Sequence, residues 1–289
     1  MALDHYISQV HLKKFYSPDL DSQMYGIKKK DQKLFMPRAK DVCRIEKGNT
    51  NPYLKEKRII EEFLKDVEPK YDKSISKLRS DKIDAECIYV IAGFVSYILR
   101  CSPAAMRMHA ATMHESIADL GRRLDKAGEM PMPPSILAPS FTELLKKGSI
   151  QINVDEKYPQ AVGISNILSG VSVFGNSEWE VLINPFRESP LFSSDFPVIF
   201  EKSPIHGIGK WIVPLAPNLA IRIFPNIRQE MAQMDFARFK STHKILSHSE
   251  VKHINTLLVR SAESMVFLVN YMIGCQDLLK KIHLLKLIS

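Results

Sequence analysis

Apolar residues recur three and four positions apart through much of the first half of the chain. Ile60, Phe63, Leu64, Val67, Tyr71, Ile75 and Leu78 share one face of a helix predicted from about Leu54 to Leu78. A second helix is predicted from about Ile83 to Arg100. It is apolar nearly all round, which makes it a central element. Its most apolar part, Cys87 to Leu99, lies between Glu86 and Arg100 and is too short to span a bilayer, so a buried core helix is expected. Ser102-Pro103 reads as an N-cap followed by proline at the first helical position. The third helix carries Met106, Ala110, Met113, Ile117, Leu120 and Leu124 as a seam expected to face the core, with an adaptable methionine groove as the alternative.

Met130-Pro131-Met132-Pro133-Pro134 predicts a stiff linker, and Ser140-Phe141-Thr142-Glu143 a capping box opening a short helix that ends at Gly148. The pattern changes near Trp179. Glu180–Ile183, Pro197–Phe200, Trp211–Val213 and Ala220–Phe224 are short β-type runs separated by Pro, Gly, Asn and Ser. Their spacing predicts an antiparallel sheet rather than βαβ units. Helices are expected again over about 227–287. There Ser247-His248-Ser249-Glu250 is a capping box, and Ile254, Leu258, Met265, Leu268, Met272 and Leu279 form one stripe.

The order of elements predicts an α+β fold of one body. It has a helix-rich part (54–148), a small, mainly antiparallel sheet (about 178–225) and C-terminal helices packed together with the earlier ones. The first ~50 residues read as irregular with short strands. Met24 to Ile27 is expected as one arm of a hairpin, and Gly48-Asn49-Thr50-Asn51-Pro52 as a turn.

Charge changes this picture more than composition does. The net charge is +8, and residues 1–82 hold 19 Lys+Arg against 13 Asp+Glu, leaving 21 against 19 for the rest. The surplus is densest at Lys28-Lys29-Lys30, followed by Lys33, Arg38 and Lys40. Such a stretch attracts phosphate backbones, and it is equally a solvated, solubilising turn. The cysteines Cys43, Cys87, Cys101 and Cys275 lack zinc-ligand and C-x-x-C spacing and are expected to be reduced, which fits a cytoplasmic protein. Met1 to Tyr6 shows no basic segment leading into an apolar run, so neither a secretory signal nor a membrane partner is expected.

Phosphate-loop, dinucleotide, G-x-S-x-G and H-E-x-x-H motifs are absent. His109/His114, His243/His248 and His248/His253 are five apart, about 140° around a helix, and so share no face. The restriction-nuclease pattern, in which carboxylates hold Mg²⁺ beside a lysine, is matched poorly: Asp195 is followed by Glu201-Lys202 without the intervening residue.

Two constellations remain. In His5-Tyr6-x-x-Gln9-x-x-Leu12-x-x-Phe15, His5 and Gln9 would face the same way on a helical turn and could grip a phosphate, a base edge or a water, or could satisfy buried backbone. Leu12 and Phe15 should pin this segment to the core. In Leu191-Phe192-Ser193-Ser194-Asp195-Phe196-Pro197-Val198, Asp195 stands where a strand stops. That position suits both a functional carboxylate and a carboxylate that caps backbone amides. The enclosing Phe192, Phe196 and Val198 favour the second.

These blocks resemble the family catalogued as domain of unknown function 4238. Its members open with His-Tyr-x-x-Gln-x-x-Leu-x-x-Phe, here His5 to Phe15. They continue with two separated glutamates on a helix, matched by Glu61 or Glu62 and by Glu68. Ser194-Asp195-Phe196-Pro197-Val198, then Pro214-Leu215-Ala216-Pro217, then Asn255 through Ala262 match later blocks, in order. Phe196 departs from a common Asn, and Ala216 from Ser. The resemblance brings no activity. It implies that His5, Gln9, Glu68, Arg100, Asp195 and Asn255 converge, either as a site or as a buried polar network in which Arg100 pairs with Glu68 or Asp195.

Two functions are therefore expected as alternatives. One is a nucleic-acid-directed protein, a metal-dependent nuclease using Mg²⁺, with His5, Gln9, Glu68 and Asp195 catalytic and Lys28, Lys29, Lys30, Arg100 and Asn255 binding. The other is a non-catalytic interaction protein in which the same polar residues are structural.

Overall fold

The computed structural model describes residues 3–131, 140–202, 209–225 and 234–271. Strand β1 (Leu3–His5) leads into the single-turn helix α1 (Gln9–Leu12). Leu12 and Phe15 are fully buried, so the apolar spacing pins the N-terminal block as expected. β2 (Tyr25–Lys28) forms an antiparallel hairpin with β3 (Leu34–Phe35). β4 (Arg44–Glu46) returns to pair antiparallel with β1, setting Arg44 opposite His5.

The helix predicted over 54–78 is two helices, α2 (Ile60–Val67) and α3 (Tyr71–Arg79), joined by a 3-10 turn over Glu68–Lys70. Pro69 is the cause: it has no N–H to donate, and its ring crowds the preceding turn. Ile60, Val67, Tyr71, Ile75 and Leu78 still share the buried side.

α4 (Ala85–Cys101) is the central helix, capped by Asp84, which accepts from the Cys87 amide at 2.9 Å. Ser102 caps α5 (Pro103–Ala127), and Gly128 closes it at φ 74°. The α5 seam faces the core only in its first turns. Met106 and Ala110 are buried, but Ile117 and Leu120 are 43% and 56% exposed. A straight helix drifts about 20° per heptad against a strict 3.5 repeat, so the seam rotates away. Ala118 and Gly121 face inward in its place, and α6 (Phe141–Lys146) packs Phe141 on Gly121.

No element is legible between Gly148 and Trp179, where the chain forms α7 (Lys157–Ser165) and α8 (Ile167–Gly175). Neither has a side-chain cap, and α8 is rich in Gly, Ser and Val.

The strands that follow are β5 (Glu178–Ile183), β6 (Ser193–Ser194), β7 (Ile199–Lys202), β8 (Gly209–Ala216), β9 (Leu219–Phe224) and β10 (Lys240–Ile245). Five of them form a sheet in the order β10-β5-β9-β8-β7, antiparallel except that β10 runs parallel to β5. β10 is too polar to read as a strand. α9 (His248–Ser261) opens with the full capping box of Ser247 and Glu250. The apolar stripe read as continuing this helix breaks there. Met265 and Leu268 belong to strand β11 (Met265–Leu268), which completes a second sheet in the order β3-β2-β11-β6. Met272, Leu279, Cys275, residues 132–134 of the predicted linker and residues 226–233 lie outside the described residues.

The five-stranded sheet alternates side chains between two cores. Trp179, Val181, Val213 and Ile221 join α4 in the larger one, while Leu182, Ile212 and Ala220 pack with Val251, Ile254 and Leu258 of α9. The fold is α+β. Among the described residues no single helix is long and apolar enough to cross a membrane.

Candidate functional site

An open cleft of about 530 Å³ lies between the N-terminal strand and the α2–α3 junction. His5, Gln9, Asn49, Glu61, Lys65 and Glu68 are among the side chains lining it. Three irregular features of the backbone assemble it. β1 stops at His5, and the bend over Tyr6–Ser8 swings Gln9, the first residue of α1, to the same side. The Pro69 break turns Glu68 toward them. The turn over Gly48–Asn51 supplies Asn49. His5 and Gln9 thus meet across a strand-to-helix bend, not on one helical face, and both are partly buried.

The cleft wall is braced from behind. Asp4 receives Arg58 at 2.8 Å and the Asn49 amide at 3.0 Å, and Arg58 also pairs with Glu61. Burial raises the Asp4 pKa, but Arg58, the Asn49 amide and the Lys157 charge outweigh it and lower it on balance. The Tyr97 hydroxyl lies 2.8 Å from the His5 carbonyl and 2.9 Å from Asn49 Oδ1.

The surroundings of the His5 ring favour its neutral form. Burial lowers its pKa below the ordinary 6.5, and the Arg44 charge adds to this, while the carbonyls of Lys40 and Ala39 and the charge of Glu68 pull the other way. Its Nε2 is buried and has no hydrogen-bond partner among the described residues. The arrangement is a neutral imidazole with a carboxylate nearby, which can accept and return a proton.

The other expected residues do not converge here. Asp195 is fully buried after β6, and its carboxylate accepts the amides of Glu263, Ser264 and Met265 and the Ser264 hydroxyl, at 2.6–3.0 Å. Burial raises its pKa, against the donors of Ser264 and Met265 and the charge of Lys29. Asn255 is also internal, taking the Phe192 amide at 3.0 Å and donating to the Pro190 carbonyl at 2.9 Å. Arg100 meets neither Glu68 nor Asp195. It runs between α7 and α8. None of the three lysines lines the cleft: Lys28 lies over Phe35, Lys29 donates to the Ala262 and Arg260 carbonyls at the end of α9, and Lys30 is exposed. The departures from the family pattern, Phe196 and Ala216, are both buried in the core.

Among the described residues no group of three His, Cys, Asp or Glu is placed to hold a metal ion. The sequence reading missed the bracing residues Asp4, Arg58, Asn49 and Tyr97. Asn49 stood in a cluster that announced only a turn, and a tyrosine inside an apolar helix reads as core. It also missed His11, fully buried with its ring nitrogens 2.9 Å from the Tyr71 hydroxyl and 2.8 Å from the Ser193 hydroxyl.

No curated protein and no solved structure matches the chain. The model of one family, described as protein of unknown function (DUF4238), matches residues 4–270 of the 289, with His5, Gln9, Glu68, Asp195 and Asn255 all inside the match. The chain belongs to the DUF4238 family.

Proposed function

We propose that the His5 cleft binds and cleaves nucleic acid, with His5 as proton acceptor. The observation that carries this reading is a juxtaposition. His5, Gln9 and Glu68 line one cleft, and the basic stretch from Arg38 to Arg44 adjoins His5 without lining that cleft, with the Ala39 and Lys40 carbonyls at the His5 ring and Arg44 opposite His5. Neutral His5 takes the proton of the attacking hydroxyl or water as its oxygen bonds to phosphorus, the P–O bond to the leaving oxygen breaks, and the imidazolium returns the proton to that oxygen. The Glu68 charge favours the imidazolium that results, and the Gln9 amide donates to a phosphoryl oxygen. Lys40 and Arg44 hold the backbone without reading sequence.

The test is cleavage of single- and double-stranded DNA and RNA by the wild type and His5→Gln. It is run with and without Mg²⁺, because one carboxylate together with substrate phosphates can hold that ion. Loss of a positioned base is expected to slow cleavage about 10²–10⁴-fold. The midpoint of the acid limb of the wild-type pH–rate profile should lie below the ordinary 6.5 of histidine, because burial lowers the His5 pKa. Cleavage unchanged in His5→Gln, or absent from every substrate, would overturn the catalytic role.

Binding has its own signature. Affinity should fall steeply with salt, and Lys40→Ala and Arg44→Ala should each reduce the slope of log affinity on log salt by about one. Salt-independent binding would remove nucleic acid as the partner.

A second reading, a non-catalytic interaction protein, is favoured by one observation: the carboxylate of Asp195 and the amide of Asn255 are both taken up by internal hydrogen bonds. Salt-dependent binding with no cleavage is the result that reading expects.

A further inference from the structure

Arg100 is a half-buried cation with an unusual passage through the fold. Its stem crosses Gly163 of α7 and its guanidinium lies over Gly170 of α8. A Cβ on Gly163 would meet Arg100 Cγ at 2.9 Å, and one on Gly170 would meet Nη2 at 2.7 Å. The two glycines leave the space this side chain needs. Among the described residues Arg100 makes no ion pair and no hydrogen bond. Burial lowers its pKa, and among the described residues the Cys101 thiol, not a carboxylate, opposes that effect. A cation withdrawn from water without an anion is costly, so its retention calls for an anionic partner.

Arg100 lines a cavity of about 650 Å³ that is separate from the His5 cleft. The volume falls within the roughly 300–1,000 Å³ of small-molecule sites. Met108 and Met113 of α5, Val162 of α7, Phe174 of α8 and Trp211 of β8 form apolar walls. Among the described residues no carboxylate and no lysine lines it. His109 also lines the cavity, but its Nε2 is spent on the Leu99 carbonyl at 2.9 Å. The site therefore offers one forked cationic donor beside a polarisable apolar surface. That set matches a monoanion with a planar, two-oxygen head better than a phosphate dianion.

We propose that this cavity binds a small amphipathic carboxylate, its head paired with Arg100 and its apolar body laid along Met108, Met113, Phe174 and Trp211.

Trp211 supplies the readout, because the other tryptophan, Trp179, is fully buried in the core. The full-length protein is titrated with decanoate and with decanol, following tryptophan fluorescence and the melting temperature. Decanoate is expected to bind more tightly than decanol and to raise the melting temperature. Arg100→Met should weaken decanoate about tenfold or more, as loss of a charge-assisted bidentate pair does, and leave decanol nearly unchanged. Met113→Phe stiffens and narrows the apolar wall while keeping Arg100, adds no tryptophan, and should weaken both. It also serves if Arg100→Met fails to fold. Equal affinity of the wild type for the two probes, decanoate binding unaffected by either variant, or no binding of decanoate at all would overturn the proposal.

Discussion

Asp195→Asn is expected to lower the melting temperature by about 4–16 °C, from a loss of about 2–4 kcal/mol at about 2–4 °C per kcal/mol for a chain of this size. The carboxylate accepts four hydrogen bonds. Oδ2 takes the amides of Ser264 and Met265 and the Ser264 hydroxyl, and Oδ1 takes the Glu263 amide at 2.9 Å. Asparagine offers one acceptor and one donor. Its better orientation leaves the oxygen on the side of three donors and points its amide at the Glu263 N–H. One buried donor then loses its acceptor, and the remaining bonds lose their charge. Hydrogen bonds to charged groups contribute about 1.5–3 kcal/mol net, and stranding a buried donor costs about 1–3 kcal/mol, so a total of about 2–4 kcal/mol follows. The damage has a definite address. Asp195 binds the amides of residues 263–265, which a continuing helix would turn toward its own carbonyls, and so ends α9 at Ser261 and starts β11. Loss of amide protection at 263–268 in hydrogen exchange should accompany the lower melting temperature. Unchanged melting in Asp195→Asn, together with lost cleavage, would give Asp195 a catalytic role in place of this one.

That same carboxylate explains the largest error in reading the sequence. Ile254, Leu258, Met265 and Leu268 sustain a helical stripe, and only a residue some seventy positions earlier breaks it. Periodicity describes the local preference of a segment, while the α9–β11 break is imposed by a tertiary hydrogen bond. The α2–α3 break, in contrast, was legible in principle at Pro69. The caps at Asp84, Ser102, Ser140 and Ser247 are local devices, and the last three were read directly from their spacing. Half of the candidate site was legible for a similar reason. His5, Gln9 and Glu68 recur as polar residues beside apolar anchors. Their braces Asp4, Arg58 and Tyr97 belong to separate segments that only the fold joins. Arg100 was misassigned because partners were sought among acidic residues, whereas its environment is set by Gly163 and Gly170, which mark a close approach without naming what approaches.

Acid is expected to unfold this protein partly through His11, and His11→Gln to blunt that sensitivity. His11 joins three segments: its ring nitrogens meet Tyr71 of α3 and Ser193 of β6, and the ring packs on Phe15 and Phe94 at centroid distances of 5.3 and 4.9 Å. Burial alone lowers its pKa from 6.5 to about 3. Above pH 6.5 neither the folded nor the unfolded chain carries this proton, and the full stability is present. Between 6.5 and about 3 only the unfolded chain binds it, so stability falls with pH across that window. At about 1.36 kcal/mol per unit, the loss is roughly 2 kcal/mol by pH 5. Gln keeps one donor and one acceptor for the two hydroxyls but does not titrate. It gives up the ring contacts, so the variant should start less stable at pH 7.5 and decline less on acidification. Asp4, Glu250 and His5 titrate in both proteins and cancel in the difference. Urea unfolding of the pair at pH 7.5, 6 and 5 measures that difference directly. A gap that closes toward pH 5 assigns the proton to His11, and a gap that stays constant overturns the assignment.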